Sequence, residues 1–161
     1  MRILAVDFGE KRVGLATSDA SGSLATPRKA LRRRRDETVL DELEGFCRTE
    51  EIELVVFGVP RSPEGVESAF AARIRSFAEK LGSRTALPIR FHEETLTSNE
   101  AARRLPPTAE REELDPVSAA VLLEDYLQSV ESRARQAREK DARRARDEKD
   151  ARRARDEEDA R

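Results

Sequence analysis

Cysteine and histidine occur once each in this chain, tryptophan not at all, and aromatic residues make up 4% of it. The lone Cys47 cannot close an intrachain disulfide, and the lone His92 excludes a metal centre built from several imidazoles. No apolar run approaches the roughly 20 residues that a membrane-spanning helix needs, and none follows a basic N-terminal start. No membrane association is expected, and a reducing cytoplasmic location fits. A Walker-type phosphate loop and a GxSxG nucleophile elbow are also missing, which takes support from those reaction classes.

Charge, by contrast, is abundant. Lys+Arg number 31 and Asp+Glu 33, so 40% of the chain is charged and the net charge is −2. Residues 133–161 hold 12 of the basic and 9 of the acidic residues, leaving 19 and 24 to residues 1–132. The body is therefore acidic and the tail basic. The tail carries KDARRARDE at 140–148 and again at 149–157, then begins a third copy. At about 100° per residue, successive copies of a nine-residue repeat face opposite sides of a helix, so the alanines form no stripe able to bury a core. Its strong helix formers favour a frayed, solvated helix over disorder. The expected organisation is one domain over 1–132 and a low-complexity tail over 133–161.

Within the body, RILAVDF (2–8), RVGLATS (12–18) and LATPRKALR (24–32) read as three strands joined by glycine-containing turns, an antiparallel meander. Val39, Leu40, Leu43, Phe46 and Cys47 recur at helical spacing behind the acidic start Asp36-Glu37. ELVVFGVP (53–60) is a continuously apolar strand suited to the centre of a parallel region. Val66, Phe70, Ile74, Phe77 and Leu81 predict a helix stopping at Gly82, and LPIRFHE (87–93) a fifth strand. TSNE (97–100) has the form of a capping box for a short helix ending at Pro106-Pro107. DPVSAAVLLEDYLQSV predicts a last helix with Asp115 as N-cap and Pro116 at its first position. The order implies an α/β fold, a mixed five-stranded sheet with helices on its faces.

Three acids stand at element ends: Asp7, Glu93 or Glu94, and Asp115. If the strands of Asp7 and Glu94 are parallel neighbours, their C-terminal ends share the edge where open α/β sheets place ligands. Converging carboxylates suit hard cations such as Mg²⁺, which can activate water for phosphodiester cleavage. Against this, Asp115 before a proline also suits a simple helix cap. A carboxylate between Val6 and Phe8 is costly to bury unpaired, and either a metal or an ion pair to Lys11 or Arg12 would relieve Asp7. Lys11 and Arg12 could neutralise phosphates beside the acids. Arg32, Arg33, Arg34 and Arg35 form the strongest local basic run, suited to a phosphate backbone or to solvent.

AVDFGEKRVGLATSD, VVFGVPRSPEGVES, FHEETLTSNEA and LDPVSAAVLLEDYL occur in that order over residues 1–130. In this the chain resembles the YqgF (RuvX) family of pre-16S rRNA nucleases, related to Holliday junction resolvases. The resemblance implies an RNase H-like fold, a metal-binding triad of Asp7, Glu94 and Asp115 holding Mg²⁺ or Mn²⁺, and an RNA or branched-DNA substrate. It implies action at the 5′ end of pre-16S rRNA in ribosome biogenesis, by a monomer or homodimer. Thr95 stands where the family usually has arginine, and a short acidic stretch with Glu110, Glu112 and Glu113 precedes Asp115. Junction resolution and a non-catalytic nucleic-acid-binding module are the alternatives. An actin-like or sugar-kinase ATPase is disfavoured by length, since such enzymes close on nucleotide with two domains of this kind.

Overall fold

The structure, a computed structural model, describes residues 1–61, 66–94 and 111–159. Strands β1 (Ile3–Phe8), β2 (Arg12–Ser18) and β3 (Ala25–Arg32) form the antiparallel meander. Helix α1 (Asp36–Thr49), β4 (Leu54–Pro60), α2 (Ala69–Thr85) and β5 (Ile89–Glu94) follow, and helix α3 (Arg111–Asp159) closes the chain. The sheet order is β3-β2-β1-β4-β5, with β4 parallel to both β1 and β5. This is the expected mixed sheet. One expectation needs correcting: β1 and β5 are not neighbours, because β4 lies between them. The three strands still run the same way and end on one edge.

Side chains alternate across the sheet, so each face has its own chemistry. Leu4, Val6, Phe8, Val13, Leu15, Val55, Phe57 and Val59 join Val39, Leu40, Leu43, Ile74, Phe77 and Leu81 from α1 and α2 in one buried cluster. The aromatic rings of Phe8 and Phe77 lie 4.5 Å apart at its centre. The opposite face holds Ile3, Leu54 and Val56 together with smaller residues: Ala5 opposite Ala16, Gly14 opposite Asp7, and Gly58 in β4. Small side chains let a helix backbone come close, and the start of α3 uses that room. Its Ala119, Ala120, Val121, Leu122 and Leu123 are all buried.

Two helices differ in their bounds from the sequence reading. Helix α2 begins at Ala69, leaving Val66 outside it and exposed, and Ser68 caps it by accepting a hydrogen bond from the Ala71 amide at 3.1 Å. It runs past Gly82 to Thr85, and Ala86 takes the left-handed turn at φ 56°. Gly82 has a packing role instead: a Cβ there would stand 3.0 Å from Cγ1 of Ile89, so the missing side chain admits β5. Helix α3 begins at Arg111, so Asp115 is not its N-cap and Pro116 lies inside it. Arg, Glu and Leu are strong helix formers, and acids near a helix start are favourable, which extends the helix upstream of a proline that forfeits only one backbone bond. The capping box at 97–100, the helix it predicts and Thr95 lie outside the described residues.

The chain divides into two units, Met1–Tyr126 and Leu127–Arg161. The second is helical through Asp159, and its side chains from Glu131 to Lys149 are all exposed. Arg135 and Glu139, one turn apart, pair at 3.0 Å, a type of contact that supports a solvated helix by a few tenths of a kcal/mol. Among the described residues no helix is long and apolar enough to cross a membrane.

Candidate active site

The site begins with a glycine. Gly14 of β2 is the partner of Asp7 in β1, and a Cβ built on it would meet the backbone carbonyl oxygen of Asp115 at 2.1 Å and its carbon at 2.6 Å. Only a residue without a side chain lets α3 touch the sheet here. The contact is of backbone on backbone, so it fixes Asp115 over β2 next to the strand position that holds Asp7. Asp7 is half-buried on the same face, between Val6 and Phe8, which point the other way into the core. Two acidic residues from opposite ends of the domain thereby take neighbouring backbone positions.

Arg12 completes this group. Its Nη1 lies 3.8 Å from Oδ2 of Asp115, with the two side chains 30% and 34% exposed. That separation exceeds hydrogen-bond length, so the pair is a charge contact at a partly wet site. Arg12 is also the register partner of Arg32 in β3, two guanidinium-bearing residues facing each other across the strands.

The arginine run divides into unlike members. Arg33 is turned into the protein, its side chain 5% exposed. Its Nε donates to Oδ1 of Asp36 at 2.7 Å, and its Nη1 donates to the carbonyls of Gly9 at 3.2 Å and Glu10 at 3.4 Å. Its guanidinium also sits 4.2 Å above the Phe8 ring. Arg33 thus pins the β1-β2 turn, and its proximity holds the Asp36 carboxyl below the usual carboxylate range. Arg32, Arg34 and Arg35 are exposed, as is Lys11 at the tip of the turn.

Glu94 ends β5 opposite Pro60, and its side chain lies outside the described part. Two residues earlier, His92 reveals a tie that sequence reading missed. Its Nε2 is 2.6 Å from Oδ2 of Asp125 on α3, and its ring stands edge-on to Tyr126 at 5.7 Å. The register partner of His92 is Gly58, which leaves space above the sheet for this contact. Helix α3 is thus fastened at Gly14 on β2 and at His92 on β5. Three inter-strand steps span about 14 Å, close to the roughly 15 Å that the helix rises between positions 115 and 125. The helix crosses the sheet from strand to strand and ties β5, with Glu94 at its end, to the helix that carries Asp115.

The donor set at this edge is carboxylate oxygen, without thiol or a second imidazole, and suits a hard divalent cation. Among the described residues no three His, Cys, Asp or Glu side chains form a metal-sized group. Asp7 and Asp115 supply two carboxylates, and Glu94 stands beyond that description.

The RuvX family profile, described as Holliday junction resolvase, matches residues 1–129. A relative from Anaplasma marginale, named a pre-16S rRNA nuclease, is 35% identical over 82% of this chain and 87% of its own. One of the same name from Nitratidesulfovibrio vulgaris is 34% identical over 83% of this chain and 97% of its own. Among solved structures, RuvC of T. thermophilus in complex with Holliday junction substrate matches with a TM-score of 0.56 at 9% identity, over 82% of this chain and 96% of that one. That likeness shows a RuvC-like, RNase H-like fold. With the four motifs in order, the Asp7-Gly14-Asp115 arrangement and these matches, the chain belongs to the RuvX family.

Proposed function

We propose that residues 1–132 form a metal-dependent nuclease that hydrolyses phosphodiester bonds, with the 5′ region of pre-16S rRNA as substrate. The observation that supports this reading is the seating of the Asp115 backbone on Gly14, the register partner of Asp7, near the end of the sheet where open α/β folds bind ligands. Asp7 and Asp115, with Glu94 from the end of β5, would hold Mg²⁺ or Mn²⁺. Such an ion supplies activation of water and stabilisation of the leaving oxygen. Lys11, Arg12, Arg32, Arg34 and Arg35 lie on the β1-β2 turn, on β2 and around the end of β3, where they would contact substrate phosphates. Arg33 serves them indirectly by holding the turn that presents Lys11. The relatives' name supports an RNA substrate in ribosome biogenesis and a cytoplasmic setting. The family's description supports cleavage of branched DNA as the second reading, in which a homodimer would be needed to cut two strands symmetrically. Residues 133–161 are a charged tail that this reading does not use.

The test is cleavage of a precursor 16S rRNA fragment and of a four-way DNA junction, each with Mg²⁺ and Mn²⁺. Asp7→Asn and Asp115→Asn are expected to lower the rate on the order of 10²–10³-fold while leaving the circular dichroism melt unchanged, as when a group stabilising developing charge is removed. Full activity in either variant would overturn the reading. Binding without acid-dependent cleavage would identify a non-catalytic module.

A further inference from the structure

Of the six phenylalanines in the chain, Phe91 on β5 is the one that is exposed, at 36%. Its ring packs toward the fully buried Phe57, with the centroids 6.4 Å apart. The guanidinium of Arg75, from α2, lies over the same ring at 4.5 Å from its centroid. Glu67 accepts a hydrogen bond from Nε of Arg75, which holds the guanidinium in one orientation. A guanidinium donates within its own plane, so this bond and the Phe91 ring leave the outer face of the group unused. The Arg75 side chain is 43% exposed. A flat cation, backed by an aromatic ring and steadied by a carboxylate, is a surface on which a nucleobase stacks. Phe91 stands three residues before Glu94, about 10 Å along β5. Exposed Arg61, 4.0 Å from Glu93, lies beside the stretch between them.

We propose that Arg75, backed by Phe91, is a stacking platform for an unpaired base of the substrate, a few nucleotides from the bond that is cut. The ligand class is single-stranded nucleic acid, and it is RNA under the nuclease reading, on which this inference rests. β5 is an outer strand of the sheet, so a flexible single strand can pass over its end from the candidate site to the α2 side. Duplex, with a persistence length of about 150 base pairs, does not turn so sharply. Stacking asks for a π-face and every base has one, so the platform tolerates any sequence. The contact is the same before and during bond breaking, so it acts on KM and leaves kcat alone. A cation that only covered Phe91 would serve as well as lysine, whereas a platform needs the guanidinium plane.

The experiment compares, by fluorescence anisotropy on the full chain, a short unstructured fluorescein-labelled RNA with an abasic ribose-phosphate oligomer of equal length. EDTA is present so that neither is cut. Arg75→Lys keeps the charge and removes the plane, so it is expected to weaken RNA binding about fivefold, the lower end of what one stacked base contributes. Binding of the abasic oligomer, which reports phosphate contacts alone, should not change. Phe91→Leu keeps an apolar side chain beside Phe57 but removes the ring behind the cation, and should weaken RNA binding in the same selective way. In cleavage assays with Mg²⁺ on the same RNA, Arg75→Lys should raise KM about fivefold at unchanged kcat. Arg48→Lys, exposed in the last turn of α1, should alter none of these readings. Wild-type RNA binding by Arg75→Lys, or equal losses on the RNA and the abasic oligomer, overturns the platform. The nuclease reading then still stands if Asp7→Asn abolishes cleavage. Full cleavage by Asp7→Asn overturns the nuclease reading itself, whichever way Arg75→Lys binds.

Discussion

The two faces of the sheet are built to different ends. On the α1/α2 face, large residues from three strands and two helices interlock, and Leu4, Val6, Val13, Val39, Leu40, Leu43 and Phe57 have no exposed surface. On the α3 face, Ile3, Leu54 and Val56 and the buried Val121, Leu122 and Leu123 of the helix continue the apolar packing, but toward the ends of the strands glycines replace large residues and admit a backbone contact, a His-Asp pair and acidic groups. Bulk excludes water and stabilises the fold through apolar burial. Smallness permits close approach, which positions charged groups but stabilises little. One face thus serves stability alone, whereas the other combines apolar packing with the candidate chemistry at one end of the strands.

Substitutions should separate the two roles. Phe57→Ala deletes a fully buried ring from the α1/α2 side and is expected to cost about 3–5 kcal/mol of unfolding free energy by urea titration, with turnover per folded molecule little changed. Gly14→Ala reverses the ratio. Its methyl group cannot occupy the space held by the Asp115 carbonyl, so α3 must shift, at about 1–3 kcal/mol of stability. Cleavage should fall by more than about tenfold, because displacing a positioned group by 1 Å is enough for losses of that order. An equal effect of Gly14→Ala and Phe57→Ala on turnover would break the contrast.

The smallest expected effect concerns acid. Arg33 lowers the pKa of Asp36 in the folded state, so this pair's contribution is present above the unfolded carboxylate pKa of about 3.9 and is lost as pH falls through the lower folded value. Because the Asp36 side chain is 45% exposed, the contribution is at most about 1 kcal/mol. Asp36→Asn should flatten the fall in urea stability below about pH 4 by that amount, and an unaltered slope would show that the turn is held by the other contacts of Arg33.

Periodicity made most of the fold legible. The apolar runs of β1 and β4 and the helical spacing of α1 each report burial that the element's own residues determine. Legibility fails where a residue serves a distant one. Gly82 reads as a helix terminator, but it is glycine for the sake of Ile89. Pro116 reads as a helix start, although strong helix formers before it carry α3 back to Arg111. At the site, Asp7 was conspicuous because an acid inside an apolar strand is costly. His92 was not, since its partner Asp125 lies 33 positions away and local sequence gives no sign of the contact beyond the facing Gly58. The four arginines look equivalent in sequence, and only the position of Phe8, Gly9 and Asp36 singles out Arg33.

The double fastening of α3 makes the segment from Asp115 to Asp125 a ruler. Surface turns of a protein absorb insertions readily, because closing a slightly longer loop adds little entropy. A helix secured at both ends has no such slack: one inserted residue would advance the far anchor by about 1.5 Å and swing it by about 100°. Asp125 would then miss His92, or the backbone at position 115 would leave Gly14. The length of this stretch is therefore fixed, and the number of residues between the two anchors becomes as much a property of the site as the acids themselves.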